Sequence, residues 1–234
     1  MVTISTRIDE LKIDDFDGEL TQTVCLPNIG WQTYKTMLRD MGDDRSTRIA
    51  YNQGIVTIKM PSKLHEIINR LLARIVTTLT EELDLEVISI GSTTLDRSDL
   101  QKSAEPDTGL YIQNADQIEG LNPDIPPNLP PDLVIEVDIT SPSTQRMIIY
   151  QALGVPEVWR YTKRNGVVIY HLQAGGQTDG QTSGYYIESA RSKAIPQLSA
   201  DRLNQFLTQR QTQSENKTIR DVRQWIQSLE QSSD

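Results

Sequence analysis

The run Asp132-Leu133-Val134-Ile135-Glu136-Val137-Asp138 constrains this chain more than any other segment. It is short, apolar and β-branched, which predicts a strand, yet acids interrupt it. Ser141-Pro142-Ser143 then caps a helix, Gly154 ends that helix, and residues 157–161 form a further strand. Because side chains alternate along a strand, Leu133, Ile135 and Val137 share a buried face, and Asp132, Val134, Glu136 and Asp138 share the other. Acids beside an apolar stripe are costly unless they meet water, a cation or a hydrogen-bond donor.

The rest of the chain supplies more strands and the helices to cover them. Residues 31–39 read as a short helix. Strand-like runs at 48–51 and 55–60 flank Asn52-Gln53-Gly54 as a hairpin. Ser62 caps the longest helix, whose stripe is Leu64, Ile67, Ile68, Leu71, Leu72, Ile75, Val76 and Leu79. Further strands are expected at 86–90, 93–95, 108–112, 167–172 and 185–189. Residues 114–131 and 175–184 read as loops, and 203–209 and 219–229 as terminal helices. This order predicts an α/β (α+β) fold, a mixed sheet with helices packed on it. Residues 1–28 are expected to be an irregular arm, 29–209 the domain, and 210–234 a helical extension that packs on the domain or makes a dimer contact.

Asp and Glu outnumber Lys and Arg by 32 to 23, for a net charge of −9. That excludes a wholly basic nucleic-acid binding surface and leaves room for a local basic groove or a metal-mediated phosphate contact. The single cysteine, Cys25, excludes an internal disulfide and suits a reducing compartment. The first residues lack the apolar core of a signal peptide, and no stretch approaches the roughly 20 apolar residues of a membrane helix. A cytoplasmic protein without membrane contact is expected.

Spacing sorts the acids. Asp132 and Glu136 lie about 13 Å apart along a strand, too far to share a small ion, whereas Glu136 and Asp138 lie about 6.6 Å apart and can border one site. A ligand from a neighbouring strand is needed, and Asp107, after Pro106 at the start of a strand, is the natural one. Two carboxylates with waters suit Mg²⁺. Asp132 is expected to end a loop. His65 and His171 are expected to be structural, Trp159 and Tyr161 to be core or interface aromatics, and Cys25 an inert thiol.

The segments PPDLVIEVDITSPS and YQALGVPEVWRYT, with MPSKLHEIINRLL and AEPDTGLYI, resemble the cyanobacterial Uma family of restriction-endonuclease-like proteins over residues 31–230. The resemblance implies a PD-(D/E)XK nuclease-like fold, a mixed central sheet flanked by helices. It makes Asp107 the aspartate of the "PD" motif and Glu136 the acid of the E-x-K strand, with Glu66 a further carboxylate on the long helix. It implies Mg²⁺ or Mn²⁺ as cofactor and DNA as partner; a homodimer is expected besides, with the stripe Ile219, Val222, Ile226 and Leu229 as its contact. The E-x-K lysine position holds Asp138 instead. The alternative position on the next helix, four residues before Tyr150, holds Arg146, which keeps the charge but cannot act as a base. The expected site is therefore Asp107, Glu136, the Val137 carbonyl and Asp138 around a metal, with Arg146 offsetting phosphate charge. The expected activity is DNA phosphodiester hydrolysis. The alternative is a lapsed nuclease fold that acts as a binding protein.

Overall fold

A computed structural model of the chain describes residues 22–42, 45–121, 123–140, 143–175, 177–178, 181–182 and 184–230. Along the chain, β1 (Gln22–Leu26) and α1 (Trp31–Met41) lead into β2 (Arg48–Asn52), β3 (Ile55–Met60) and the long α2 (Lys63–Glu82). Then come β4 (Ile88–Gly91), β5 (Leu95–Arg97), β6 (Lys102–Ala104), β7 (Thr108–Tyr111), β8 (Leu133–Asp138) and α3 (Thr144–Leu153). The chain closes with β9 (Glu157–Thr162), β10 (Gly166–Gln173), the two-residue strands β11 (Gln177–Thr178) and β12 (Gln181–Thr182), β13 (Tyr185–Ser189), α4 (Ala200–Gln209) and α5 (Glu215–Glu230).

Two main sheets result. The first is antiparallel, in the order β1-β3-β2-β6-β5. The second runs β13-β10-β9-β8-β7-β4 and is mixed, because β8 and β9 pair in parallel across α3 while the other pairs are antiparallel. A parallel pair requires such a crossover, which puts a helix over the sheet. The β8 strand is consequently buried on both faces. Leu133, Ile135 and Val137 pack with Leu72, Ile75, Val76 and Leu79 of α2, while Val134 packs with Ile149, Tyr150 and Leu153 of α3.

Local chemistry sets the boundaries that matter for the site. In the β2–β3 turn, Gln53 and Gly54 both have positive φ (45° and 98°), the backbone that matches a two-residue hairpin to strand twist. Ser62 Oγ accepts the His65 amide at 3.3 Å and so starts α2 one turn after Lys59 leaves the hairpin. Gly154 ends α3 in the left-handed conformation, at φ 81°.

Several expectations change. Residues 22–26 form a strand, not an irregular arm: β1 joins the edge of β3 through main-chain pairing while its side chains stay largely exposed, so no apolar alternation marks it. Residues 1–21 of that arm lie outside the described residues. The expected 175–184 loop contains the β11–β12 ladder. The 93–95 strand begins only at Leu95, and it pairs with β6, a three-residue strand that sequence alternation does not reveal. The C-terminal stripe Ile219, Val222 and Ile226 is buried in the main core with α2, so packing on the domain uses the face considered for a dimer contact. Among the described residues no helix is long and apolar enough to cross a membrane.

Candidate active site

The two sheets meet at a buried group of charges. Asp107, just ahead of β7, and Glu136, on β8, have side chains with no exposed surface. Strand pairing brings them together: Thr108 lies opposite Ile135, which sets Asp107 beside the Glu136–Val137 step. Asp107 Oδ2 accepts the Val137 amide at 2.8 Å, which locks the carboxylate across the ladder. Asn69 of α2 donates to the Asp107 carbonyl at 3.1 Å and accepts from Thr108 Oγ1 at 2.9 Å, fixing the backbone that carries it.

The partners of these two acids come from three other elements. Lys59 of β3, 3% exposed, donates from Nζ to Asp107 Oδ2 at 3.0 Å and to the Val137 carbonyl at 2.9 Å, and stands 3.7 Å from Glu136 Oε2. His65 of α2 places Nε2 2.7 Å from Asp107 Oδ2. Arg146 of α3 donates to Glu136 Oε2 at 2.7 Å and lies 3.8 Å from Asp107 Oδ1, and Tyr150 donates its hydroxyl to Glu136 Oε1 at 2.5 Å.

The two acids feel this surrounding differently. Burial opposes ionisation of Asp107, but Lys59, His65 and Arg146 outweigh it and hold the carboxyl well below the ordinary range. Burial raises Glu136, and the Asp107 charge adds to that, while Arg146 and Lys59 pull back only in part. For Arg146 burial works against the charge, yet Glu136 and Asp107 prevail and its pKa is raised. Burial and the Glu136 charge keep Tyr150 protonated.

Of the residues nominated from sequence, Asp107, Glu136, the Val137 carbonyl and Arg146 converge. Asp138 turns elsewhere: Oδ2 accepts the Ser143 amide (2.8 Å), the Ser143 hydroxyl (3.0 Å) and Arg160 Nε (2.7 Å), so it anchors the start of α3. Glu66 stands at the rim, its side chain 37% exposed, 3.9 Å from Arg48 and 3.5 Å from His65 Nδ1. Asp132 accepts Ile112 N, Asn114 N and Asn114 Nδ2 and ends the loop as expected. Lys59, from the other sheet, brings to the buried group a lysine that sequence reasoning did not nominate. Its sequence signal was weak: one lysine between Ile58 and Met60, just ahead of Pro61-Ser62. His65 and Tyr150 also join the buried group, which no spacing in the sequence indicates.

Arg48 faces Lys59 directly across the β2–β3 ladder, so both side chains lie on one face of the hairpin. Arg48 also lines a cavity of about 410 Å³ with Arg45, Thr47, Ser92, Thr93 and Glu105. The charges of the buried group balance within the protein, two carboxylates against Lys59 and Arg146. Among the described residues, no three or more His, Cys, Asp and Glu side chains are gathered as a metal site. Within the buried group one acceptor is nevertheless incomplete: Asp107 Oδ1, like Asp138 Oδ1 on the Arg160 side, is buried and lacks a hydrogen-bond partner among the described residues. With Glu136 and the Val137 carbonyl it provides hard oxygen donors of the kind Mg²⁺ prefers.

The family described as Uma2, "Putative restriction endonuclease", matches residues 31–202. Among solved structures, a crystal structure of a "putative nuclease belonging to DUF820" from Anabaena variabilis aligns over 85% of this chain and 99% of that one, with 15% identity and a TM-score of 0.48. No curated protein matches the chain.

Proposed function

The chain belongs to the Uma2 family of restriction-endonuclease type, and we propose that it is a Mg²⁺- or Mn²⁺-dependent DNA endonuclease working at Asp107 and Glu136. The observation that carries this reading is the seat of Lys59, whose ammonium joins two buried acids, one just ahead of β7 and one on β8. Burying two carboxylates and two cations contributes little stability compared with an apolar core of the same volume, so such a cluster is better explained by chemistry than by folding.

In this reading Asp107, Glu136 and the Val137 carbonyl hold the metal. The metal, when bound, supplies an activated water and offsets phosphate charge. His65 and the Val137 amide keep the Asp107 carboxylate in one orientation. Tyr150 and Arg146 do the same for Glu136, with Arg146 kept cationic to face an anionic substrate. Arg48 at the neighbouring cavity offers local positive charge, while Arg45 there is paired with Glu105. Cutting both strands of a duplex calls for two centres, which a homodimer would provide, and the lone, exposed Cys25 suits the cytoplasm.

A binding role without turnover is favoured by one observation: the side chains of both acids are fully covered, and Lys59 and Arg146 already neutralise them. Plasmid and single-stranded DNA, incubated with Mg²⁺ or Mn²⁺, separate the two readings. Cleavage by the wild type and none by Asp107→Asn or Glu136→Gln is expected. Equal cutting by all three, or cutting by none, overturns the nuclease assignment.

A further inference from the structure

Lys59 already holds two of the groups proposed for the metal, the Val137 carbonyl and the Asp107 carboxylate, the latter through Oδ2 and not through the open Oδ1. Its Nζ sits 3.0 Å from Asp107 Oδ2, 2.9 Å from the Val137 carbonyl and 3.7 Å from Glu136 Oε2. Mg²⁺ draws its oxygens to about 2.0–2.1 Å in near-octahedral geometry, so it leaves no room for an ammonium between the same atoms. The electrostatics agree. Asp107 and Glu136 are balanced by Lys59 and Arg146, and adding a dication to that neutral, buried group leaves an uncompensated double positive charge.

Lys59 differs from Arg146 in how replaceable it is. Arg146 rides on α3 and donates to Glu136 within a network shared with Tyr150. Lys59 reaches in from the β2–β3 hairpin of the other sheet on a flexible four-carbon stem, with Arg48 and its cavity beside it on the same face. Of the two cations, Lys59 is the one that can withdraw without disturbing α3, and an ion in its place takes up the Val137 carbonyl it leaves.

We propose that the Lys59 ammonium occupies the divalent ion's place in the metal-free protein, and that an ion binds only by displacing it. Lys59 thereby acts as a resident counter-ion that keeps the closed site intact without metal and sets how weakly metal binds. This inference rests on the reading of Asp107 and Glu136 as metal donors, and it is tested by binding rather than by cleavage.

Calorimetric titration of the full chain with Mn²⁺ compares the wild type with Lys59→Met, a neutral residue of similar length. Lys59→Met is expected to bind Mn²⁺ roughly tenfold or more tightly than the wild type, because one positive charge has left the site. Adding Asp107→Asn to Lys59→Met is expected to abolish the gain. Equal or weaker binding by Lys59→Met overturns the displacement, as does no binding by either protein. A wild type that still cuts DNA in Mg²⁺ alongside either result keeps the nuclease reading and loses only this one. Should Lys59→Met fail to fold, the wild type labelled with ¹⁵N-lysine gives the answer. The buried Lys59 ammonium exchanges slowly and gives its own Nζ signal, which Mg²⁺ is expected to shift or remove. A signal unmoved at Mg²⁺ concentrations that saturate binding overturns the proposal.

Discussion

Glu157 and the Asp107–Glu136 pair are carboxylates buried in or beside strands of the same sheet, yet they are satisfied in opposite ways. Glu157 Oε1 accepts Trp159 Nε1 at 2.5 Å and Ser192 Oγ at 2.6 Å, and Oε2 accepts the amides of Lys193 and Ala194. Its hydrogen-bond donors are neutral and short, and come from its own strand and one turn, with His171 3.4 Å away. Both Glu157 oxygens are bonded, and nothing long or mobile is involved. Asp107 and Glu136 instead draw Lys59, His65, Arg146 and Tyr150 from β3, α2 and α3, and leave Asp107 Oδ1 buried without a hydrogen bond among the described residues. A buried acid closed by neutral donors is a staple that ties a turn to a sheet. One closed by cations on long side chains retains a charge that other ligands can compete for.

The sharpest way to break this contrast is to remove each acid. Glu157→Ala leaves the Trp159, Ser192, Lys193 and Ala194 donors without their acceptor, and a loss on the order of 4 kcal/mol is expected in urea unfolding. Metal binding and cleavage per folded molecule should not change, and a loss of either would show that the Glu157 turn also serves the site. Asp107→Asn is expected to cost less stability, on the order of 2–3 kcal/mol, because Lys59 can still use the Val137 carbonyl. It should abolish metal binding and cleavage, and a variant that keeps them would remove Asp107 from the site.

Acid separates the two site carboxylates themselves. Asp107 is depressed in the folded protein, so its contribution to stability is complete above its unfolded value of about 3.9 and is lost as pH falls towards the folded value. Glu136 is raised, so its opposite effect appears above its unfolded value of about 4.3, where the chain gains stability as pH falls. Urea midpoints between pH 7 and 3 should therefore fall less in acid for Asp107→Asn than for the wild type, and more for Glu136→Gln. Identical slopes for all three would mean that neither carboxyl is shifted between the unfolded and the folded chain. The smallest effect is expected from Tyr150→Phe, about 1 kcal/mol from the lost hydroxyl bond to Glu136, with the Glu136 carboxyl rising further. A neutral result would place the Tyr150 hydroxyl outside the network.

Sequence alone went far towards this picture where physics is local. The alternation of Leu133, Ile135 and Val137 against Val134 and Glu136 held, because a strand has only two faces and α2 and α3 cover one each. Ser62 and Gly154 marked helix ends because capping depends on one side chain or one backbone conformation. Asp107 and Glu136 were legible as partners because an acid at the start of one strand and an acid inside an apolar strand both require a counterpart. The edge strand β1 was not legible, since its pairing is carried by the main chain and its side chains stay in water.

What the sequence by itself determined, then, is the mixed αβ plan, the helix ends and the identity of the two acids. Only the tertiary structure decided what surrounds them. Lys59 is 48 residues from Asp107 in the chain and lies in a different sheet, and no spacing rule links them. The same holds for the fate of Asp138, which points along β8 with Glu136 but is claimed by Ser143 and Arg160. A strand's periodicity fixes the face on which a side chain lies. Which charge it meets there depends on how separate elements pack, and that is set by the burial of the whole core.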